Sequence, residues 1–199
     1  MANRFVRLTV TGLIGVTCAL SAQSPPRLPY ENWGACPFEC CVYRTWTVVA
    51  DTDILTDRRD DAPRGFVVTR GTRVVGVTGV VVTHQFGRAV AQRERTIGRR
   101  RVAVRSGEQI LLMHYIGEGF WKYWLRGELD EEFIPDPENC ERSAHRSPTM
   151  FAQCAVQVQD PPKTTWWVKI RNRSGQEGWT RHVEHFGNVD ACGAPEGTR

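Results

Sequence analysis

The chain has 199 residues, of which 41% are hydrophobic and 24% charged, and its formal net charge is +4. This length allows one medium-sized domain or two small ones. Nucleic-acid binding usually needs a concentrated basic face, whereas the charges here are nearly balanced. The one basic cluster, around residues 99–101, is typical of an exposed hairpin or loop. We therefore expect no nucleic-acid partner.

The first 21 residues have the pattern of a secretory signal peptide. Arg4 and Arg7 form a basic start, residues 8–20 are mostly apolar, and small residues precede an expected cleavage site before Ala22. The apolar run is shorter than the roughly 20 residues that span a bilayer. The alternative is a buried N-terminal helix. We expect an exported protein, secreted or periplasmic, with no stable membrane insertion.

Residues 22–42 form a hook rich in proline and cysteine, in which NWGACPFECC (32–41) places three cysteines within six positions. Signal cleavage would leave an even number of cysteines in an oxidising compartment, which favours disulfides. A zinc site usually shows paired C-x2-C ligands and a redox site a C-x-x-C motif, and the chain has neither. We therefore expect the remaining cysteines to form staples: Cys36, Cys40, Cys41, Cys140, Cys154 and Cys192.

The spacing of these cysteines leaves many pairings open. Direct neighbours rarely bond each other, so Cys40 and Cys41 should have different partners. We expect Cys140 to pair with Cys154 and Cys192 to tie the C-terminus to the hook. Each bond would contribute roughly 2–4 kcal/mol.

Beyond the hook, short strand-like runs dominate the chain. They are separated by turn signals rich in glycine, proline and aspartate, a pattern that predicts an all-β barrel or sandwich. Single helical turns are expected only at residues 129–134 and 181–186, and the polar stretch 134–150 is expected to be a long loop. The predicted strands, in chain order, are 45–50, 65–69, 73–83, 100–105, 109–115, 120–125, 154–159 and 165–170.

Two stretches resemble bacterial SH3-like domains of the SH3b type. DILTDRRDDAPRGFVVTRGTRVVGVTG (53–79) resembles the front of such a domain, with a short strand, a wandering loop and a strand that ends in a turn at 69–72. WWVKIRNRSGQEGWT (166–180) resembles its end, with a tryptophan-led strand, a polar turn and a closing strand. Residues 106–129 partly repeat the scheme, and together these stretches cover roughly half of the mature chain.

The front and closing stretches are far apart in the sequence, which leaves two interpretations. We expect two small barrels in tandem, residues 43–105 and 106–192, the second with an inserted loop at 134–153. The alternative is one barrel that carries a large insertion. The first tandem copy lacks the tryptophan of its closing hairpin.

The resemblance implies an exported, non-catalytic binding module that recognises a cell-envelope peptide, a glycan or a protein partner. The chain has seven tryptophans, and exposed aromatic side chains on a β-barrel suit extended peptides and sugars. The alternative is that these tryptophans fill a small core. The expected groove residues are Trp121, Trp124, Trp167 and Trp179, with Tyr115 and Glu118 near the rim.

Two other functions remain open. A structural or inhibitory protein would occlude a partner's site through an exposed apolar patch. A small hydrolase could use zinc bound by His182 and His185, but H-x-x-H alone is a weak metal signal and a third ligand is needed. We expect both histidines to be surface residues and predict no catalytic residue, metal or cofactor.

Overall fold

The computed structural model of the protein describes residues 23–144 and 154–192. The predicted signal peptide lies outside these residues, as does the part of the predicted loop at 145–153. Most of the described chain is in strands, which confirms the all-β class. Among the described residues, no helix combines the length and the apolar character needed to cross a membrane.

Fifteen strands, one α-helix and one 3₁₀ turn make up the described chain. Their bounds in chain order are β1 (Tyr30–Trp33), β2 (Thr45–Val48), β3 (Thr52–Leu55), β4 (Arg64–Val68), β5 (Arg73–Gln85), β6 (Gly87–Ala91), β7 (Arg95–Ile97), β8 (Val102–Val104), β9 (Gln109–Gly117), β10 (Phe120–Leu125), β11 (Glu128–Phe133), α1 (Pro137–Ala144), β12 (Val156–Asp160), β13 (Lys163–Arg171), β14 (Glu177–Thr180), the 3₁₀ turn (Val183–His185) and β15 (Phe186–Gly187).

The larger sheet curls into a half-barrel and joins strands from both parts of the chain. Its order is β15-β2-β5-β13-β14-β3-β4, and β1 also pairs with β5. β5 is central because β13 follows one of its edges, while β2 and β1 share the other. Val80–Val82 are all buried, so both faces of this part of β5 are covered.

The smaller sheet is built from one continuous segment, residues 87–160, in the order β11-β10-β9-β6-β12. β7 and β8 form a separate hairpin whose Ile97 and Val104 join the core of this sheet. The chain enters and leaves the smaller sheet at neighbouring points. The chain enters at Gly87 and leaves after Asp160. A Cβ atom on Gly87 would lie 2.5 Å from the Pro162 nitrogen, so these two backbone segments can approach this closely only with glycine at position 87.

The sheets do not divide at the predicted boundary between residues 105 and 106. β13 and β14 lie in the second predicted domain but pair with β5 and β3 of the first. The reason is that the valine-rich β5 is long enough to pair with β13 over almost its whole length.

Several predicted elements need correction. Residues 129–134 were expected as a helical turn, which is wrong, because Arg126 and Gly127 adopt positive φ and turn the chain back into β11. Residues 137–144 form a helix within the predicted loop. The predicted turn at 181–186 is confirmed as the 3₁₀ turn, and residues 30–33 of the hook form β1 on an edge of β5.

The six cysteines of residues 23–144 and 154–192 lie in three pairs at disulfide distance. Cα atoms are 5.7 Å apart in Cys36/Cys41, 5.5 Å in Cys40/Cys192 and 5.6 Å in Cys140/Cys154. The adjacent cysteines have different partners, as expected. Cys140 pairs with Cys154 as expected, and Cys192 pairs with the hook, where the structure selects Cys40 as its partner. Such pairs are compatible with an extracellular compartment.

Candidate functional site

A cleft of about 580 Å³ opens where the β9–β10 turn of the smaller sheet meets the segment after β11. Its lining is mainly apolar and includes three aromatic and three proline side chains, a composition typical of binding clefts. Three of the six residues predicted to bind a ligand lie here: Tyr115, Glu118 and Trp121. The sequence did not predict the other lining residues, which include Phe133, Ile134, Pro135, Asp136, Pro137, Asn139 and Pro161.

Tyr115 and Trp121 form the aromatic wall of the cleft. They are register partners on β9 and β10, and their ring centroids are 5.0 Å apart at 65°. The Tyr115 hydroxyl accepts a hydrogen bond of 2.9 Å from the Gly119 amide, and the Trp121 Nε1 donates one of 3.1 Å to the Ile134 carbonyl. Both rings are therefore held by backbone groups of the cleft itself.

The turn between β9 and β10 has an unusual backbone that brings Glu118 to the rim. Gly117, Glu118 and Gly119 all have positive φ, at 142°, 48° and 82°. A Cβ atom on Gly119 would lie 2.5 Å from the Phe133 ring, so this glycine lets Phe133 pack on the turn. Glu118 is exposed and is one of few non-glycine residues in the left-handed region.

The opposite wall is held in place by helix α1. The Asn139 backbone amide donates to Asp136 Oδ1 at 2.7 Å, and its side-chain amide donates to Oδ2 at 2.8 Å, so Asp136 caps the helix. Cys140 of the helix pairs with Cys154, which precedes β12. The Val158 amide also donates to the Pro135 carbonyl at 3.3 Å. Together these contacts fix α1 against β12.

The N-terminal hook reaches the rim of the cleft through Glu39. A Cβ atom on Gly117 would lie 2.6 Å from the Glu39 nitrogen, so the two backbones are in close contact. A hydrogen bond with the Glu118 carboxyl raises the pKa of Glu39, and desolvation and the charges of Glu118 and Asp190 add to the rise. The rim therefore carries two neighbouring acidic side chains, of which Glu39 takes up a proton more readily than an isolated carboxylate does.

Trp167 and Trp124 do not belong to this cleft. Trp167 was expected to line the groove, but it is only 6% exposed and packs with Val80 and Val82, because both faces of β13 are covered. Trp124 is half-buried on β10. It follows Tyr123, which is buried in the core of the smaller sheet, so alternation places Trp124 on the other face of the strand.

Trp179 belongs to a second aromatic surface, on the larger sheet. Its ring lies edge-on to Trp33, with centroids 5.8 Å apart, and the Arg58 guanidinium lies 4.7 Å from the Trp33 ring and 5.5 Å from the Trp179 ring. Two hydrogen bonds from Arg58 to Glu31, of 2.9 and 3.2 Å, hold the guanidinium in place. Trp33 is 55% exposed, so this surface is open to a partner.

Sequence reasoning missed Trp33 and Arg58 because neither sits in a strand that it predicted. Trp33 ends β1, which lies in the hook before the first predicted strand, and Arg58 lies in the loop between β3 and β4. The sequence offered one hint of a role for Trp33, its place beside the cysteines of the hook.

Two groups of side chains could hold a metal ion among the described residues. Glu39 gathers with Cys40 and Cys192, but these cysteines are already paired with each other. His182 and His185 gather with Glu184, which supplies the third ligand that the sequence alone did not establish.

Comparison of the chain with protein-family models, with curated proteins and with solved structures found no match.

Proposed function

We propose that the protein is an exported, non-catalytic binding module that takes a cell-envelope peptide or glycan into the cleft of its smaller sheet. The observation that carries this proposal is the cleft itself, whose aromatic wall of Tyr115 and Trp121 is fixed by hydrogen bonds to the backbone. Flat amphipathic rings that are already ordered bind at low entropic cost, which suits an extended ligand.

An SH3-like architecture for the larger sheet belongs to the same proposal. The stretches that resemble the front and the end of an SH3-like domain pair in one curled sheet, through β5 with β13 and β3 with β14. A 3₁₀ turn then leads into the short closing strand β15, which pairs with β2. This order supports one SH3-like barrel with residues 87–160 inserted in it.

The acidic rim narrows the class of ligand. Glu118 lies beside the aromatic wall, and Glu39 stands next to it. A carboxylate beside an aromatic ring favours a ligand that carries an amino group, because the ammonium can contact both. Peptides of the cell wall with a free amine fit this chemistry better than a neutral glycan does.

Calorimetric titration with a soluble muropeptide tests the proposal, with its stem peptide and its disaccharide titrated separately. We expect the muropeptide and the stem peptide to bind, and Trp121→Ala to weaken binding at least about tenfold through loss of a stacking wall. Glu118→Gln should weaken the amine-bearing stem peptide and leave the disaccharide unaffected. Trp33→Ala, on the other sheet, is the matched control and should bind as the wild type does.

Circular dichroism establishes that each variant is folded before its affinity is compared. The proposal fails if folded Trp121→Ala and Glu118→Gln bind with wild-type affinity. It also fails if none of the three probes binds the wild-type protein.

A structural or inhibitory protein that occludes a partner is the second candidate, and the surface of Trp33, Trp179 and Arg58 favours it. Tryptophan and arginine are the residues most enriched at the centres of protein interfaces. Under this function, Trp33→Ala would abolish capture of a protein partner from envelope extracts, while Trp121→Ala would leave it intact. The two variants therefore separate the two candidates.

A further inference from the structure

The turn before the closing strand β15 brings together three side chains that neither binding surface uses. His182 Nδ1 lies 3.0 Å from Glu184 Oε1, and His185 Nε2 lies 3.8 Å from the same oxygen. The three ligand atoms are all within 4.8 Å of one another. The two imidazole rings stack, with centroids 5.2 Å apart and planes inclined by 16°.

The hydrogen bonds of Thr52 determine which nitrogen of His185 carries the proton. The Thr52 hydroxyl donates its single hydrogen to the Ala50 carbonyl at 2.8 Å. It can therefore only accept from His185 Nδ1, which lies 2.9 Å away. In the neutral ring the lone pair is then on Nε2, facing the Glu184 carboxylate, and two acceptors that face each other attract a cation between them.

We propose that His182, Glu184 and His185 form a binding site for a divalent first-row transition metal, with Zn²⁺ as its representative. Imidazole nitrogens and a carboxylate oxygen are the donors that such ions prefer. Metal–ligand bonds of about 2.0–2.2 Å place the ligand atoms of a tetrahedral site about 3.3–3.5 Å apart. The two separations from Glu184 lie on either side of that value, so small side-chain rotations complete the site.

The metal would replace a proton rather than fill an empty space. His182 Nδ1 and Glu184 Oε1 are within hydrogen-bond distance. When both atoms coordinate the ion, the neutral His182 ring carries its single N–H proton on Nε2 instead of Nδ1. His182 and Glu184 are exposed, so a hydrated ion reaches them directly and keeps water in its fourth position.

His185 is positioned before any metal arrives. Its carbonyl accepts a hydrogen bond of 2.8 Å from the Val49 amide, and its amide donates to the His182 carbonyl at 3.1 Å. Thr52 then orients the ring from behind, as outer groups do for ligating histidines. Phe186, the next residue, pairs with Val48 in β2, so a metal here would also brace the closure of the larger sheet.

Titration calorimetry with ZnCl₂ tests the site, on mature protein without an affinity tag and at about pH 7.5, where free imidazole is neutral. We expect one saturable site, and a melting temperature that rises with zinc. His182→Gln and His185→Gln should each weaken binding at least about tenfold. His84→Gln is the matched control, because His84 is exposed and contacts Thr165 away from the cluster.

Thr52→Val keeps all three ligands and removes the group that orients His185. We expect it to fold and to weaken zinc binding about tenfold, an effect that a purely structural role of His185 would not produce. The proposal is overturned if the wild-type protein shows no saturable binding below about 1 mM zinc. It is also overturned if binding survives in both histidine variants, or appears only after the cysteines are reduced, which would assign the zinc to thiolates.

Discussion

The two sheets of this protein are assembled in opposite ways. The smaller sheet uses the continuous segment 87–160, whereas the larger sheet pairs residues before this segment with residues after it. At the centre of the larger sheet, for example, Val81 faces Trp166. Pairing of distant residues costs more loop-closure entropy than pairing of neighbours. The stability of the larger sheet therefore depends more than that of the smaller sheet on covalent links between distant parts of the chain.

The cysteine pairs follow the same division. Cys40 and Cys192 are separated by 152 residues and join the hook to the end of the chain that follows β15. Cys140 and Cys154 are separated by 14 residues and hold helix α1 against the smaller sheet. The larger sheet, whose strands are distant in sequence, thus has the long-range cysteine pair, and the smaller sheet, built from one segment, has the short-range pair. Removing each pair separately shows how much stability each sheet draws from it.

The largest expected effect is the loss of the long-range pair. We expect Cys40→Ser/Cys192→Ser to lower the free energy of unfolding by about 5 kcal/mol, and Cys140→Ser/Cys154→Ser by about 3 kcal/mol, since the entropy removed from the unfolded chain grows with loop length. Urea denaturation of the two double variants measures both values. Equal losses would contradict the difference between the sheets. Intact mass after alkylation without reductant first tests whether the wild-type protein has any free thiol.

The next prediction concerns the place where the chain passes between the sheets. Gly87→Ala should cost about 1–3 kcal/mol, because its Cβ would meet backbone atoms of Asp160 and Pro162 at 2.6 and 2.5 Å. Gly175→Ala, in an exposed turn with no atom within 4 Å, is the control and should lose only about 1 kcal/mol from its positive φ. Thermal denaturation compares them. A smaller loss of stability in Gly87→Ala than in Gly175→Ala would mean that the backbones at residue 87 and at residues 160–162 are not tightly packed.

The smallest effect is expected where the two sheets touch. His114 of β9 is 2% exposed, donates from Nδ1 to the Tyr115 carbonyl, and lies 2.7 Å from the Asn32 amide of β1 through Nε2. Burial lowers its pKa below the ordinary value of 6.5, and the charge of Lys122 lowers it further. As the pH falls, His114 is therefore protonated in the unfolded chain before it is protonated in the folded protein. The stability contributed by neutral His114 is present above pH 6.5 and is lost as the pH falls from there through the folded pKa.

Denaturation at about pH 7.5 and pH 5.5 checks this prediction. The wild-type protein should lose stability on acidification, and His114→Gln should lose less of it, because the side-chain amide of glutamine does not titrate in this range. An identical pH dependence of stability in the two proteins would show that protonation of His114 does not affect the contact between the sheets.

The two binding surfaces differ in how well the sequence predicts them. Tyr115, Glu118 and Trp121 could be selected from the sequence because they lie within one short hairpin, so their proximity follows from local connectivity. Trp33 and Trp179 could not be joined in the same way, since their contact depends on β1 and β14 meeting over the larger sheet. Trp167 was misassigned because alternation tells which residues share a face of a strand and not whether that face is covered.

The sequence by itself determined the β class, most of the strands and the short-range pairing of Cys140 with Cys154, because period-two patterns, glycine turns and close cysteine spacing act over short stretches. Only the tertiary structure decided that residues 163–187 return to pair with residues 45–85, that residues 87–160 form a sheet of their own, and that a cleft opens beside Trp121. These features depend on which strand edges meet, and edge pairing is decided by the packing of the whole chain.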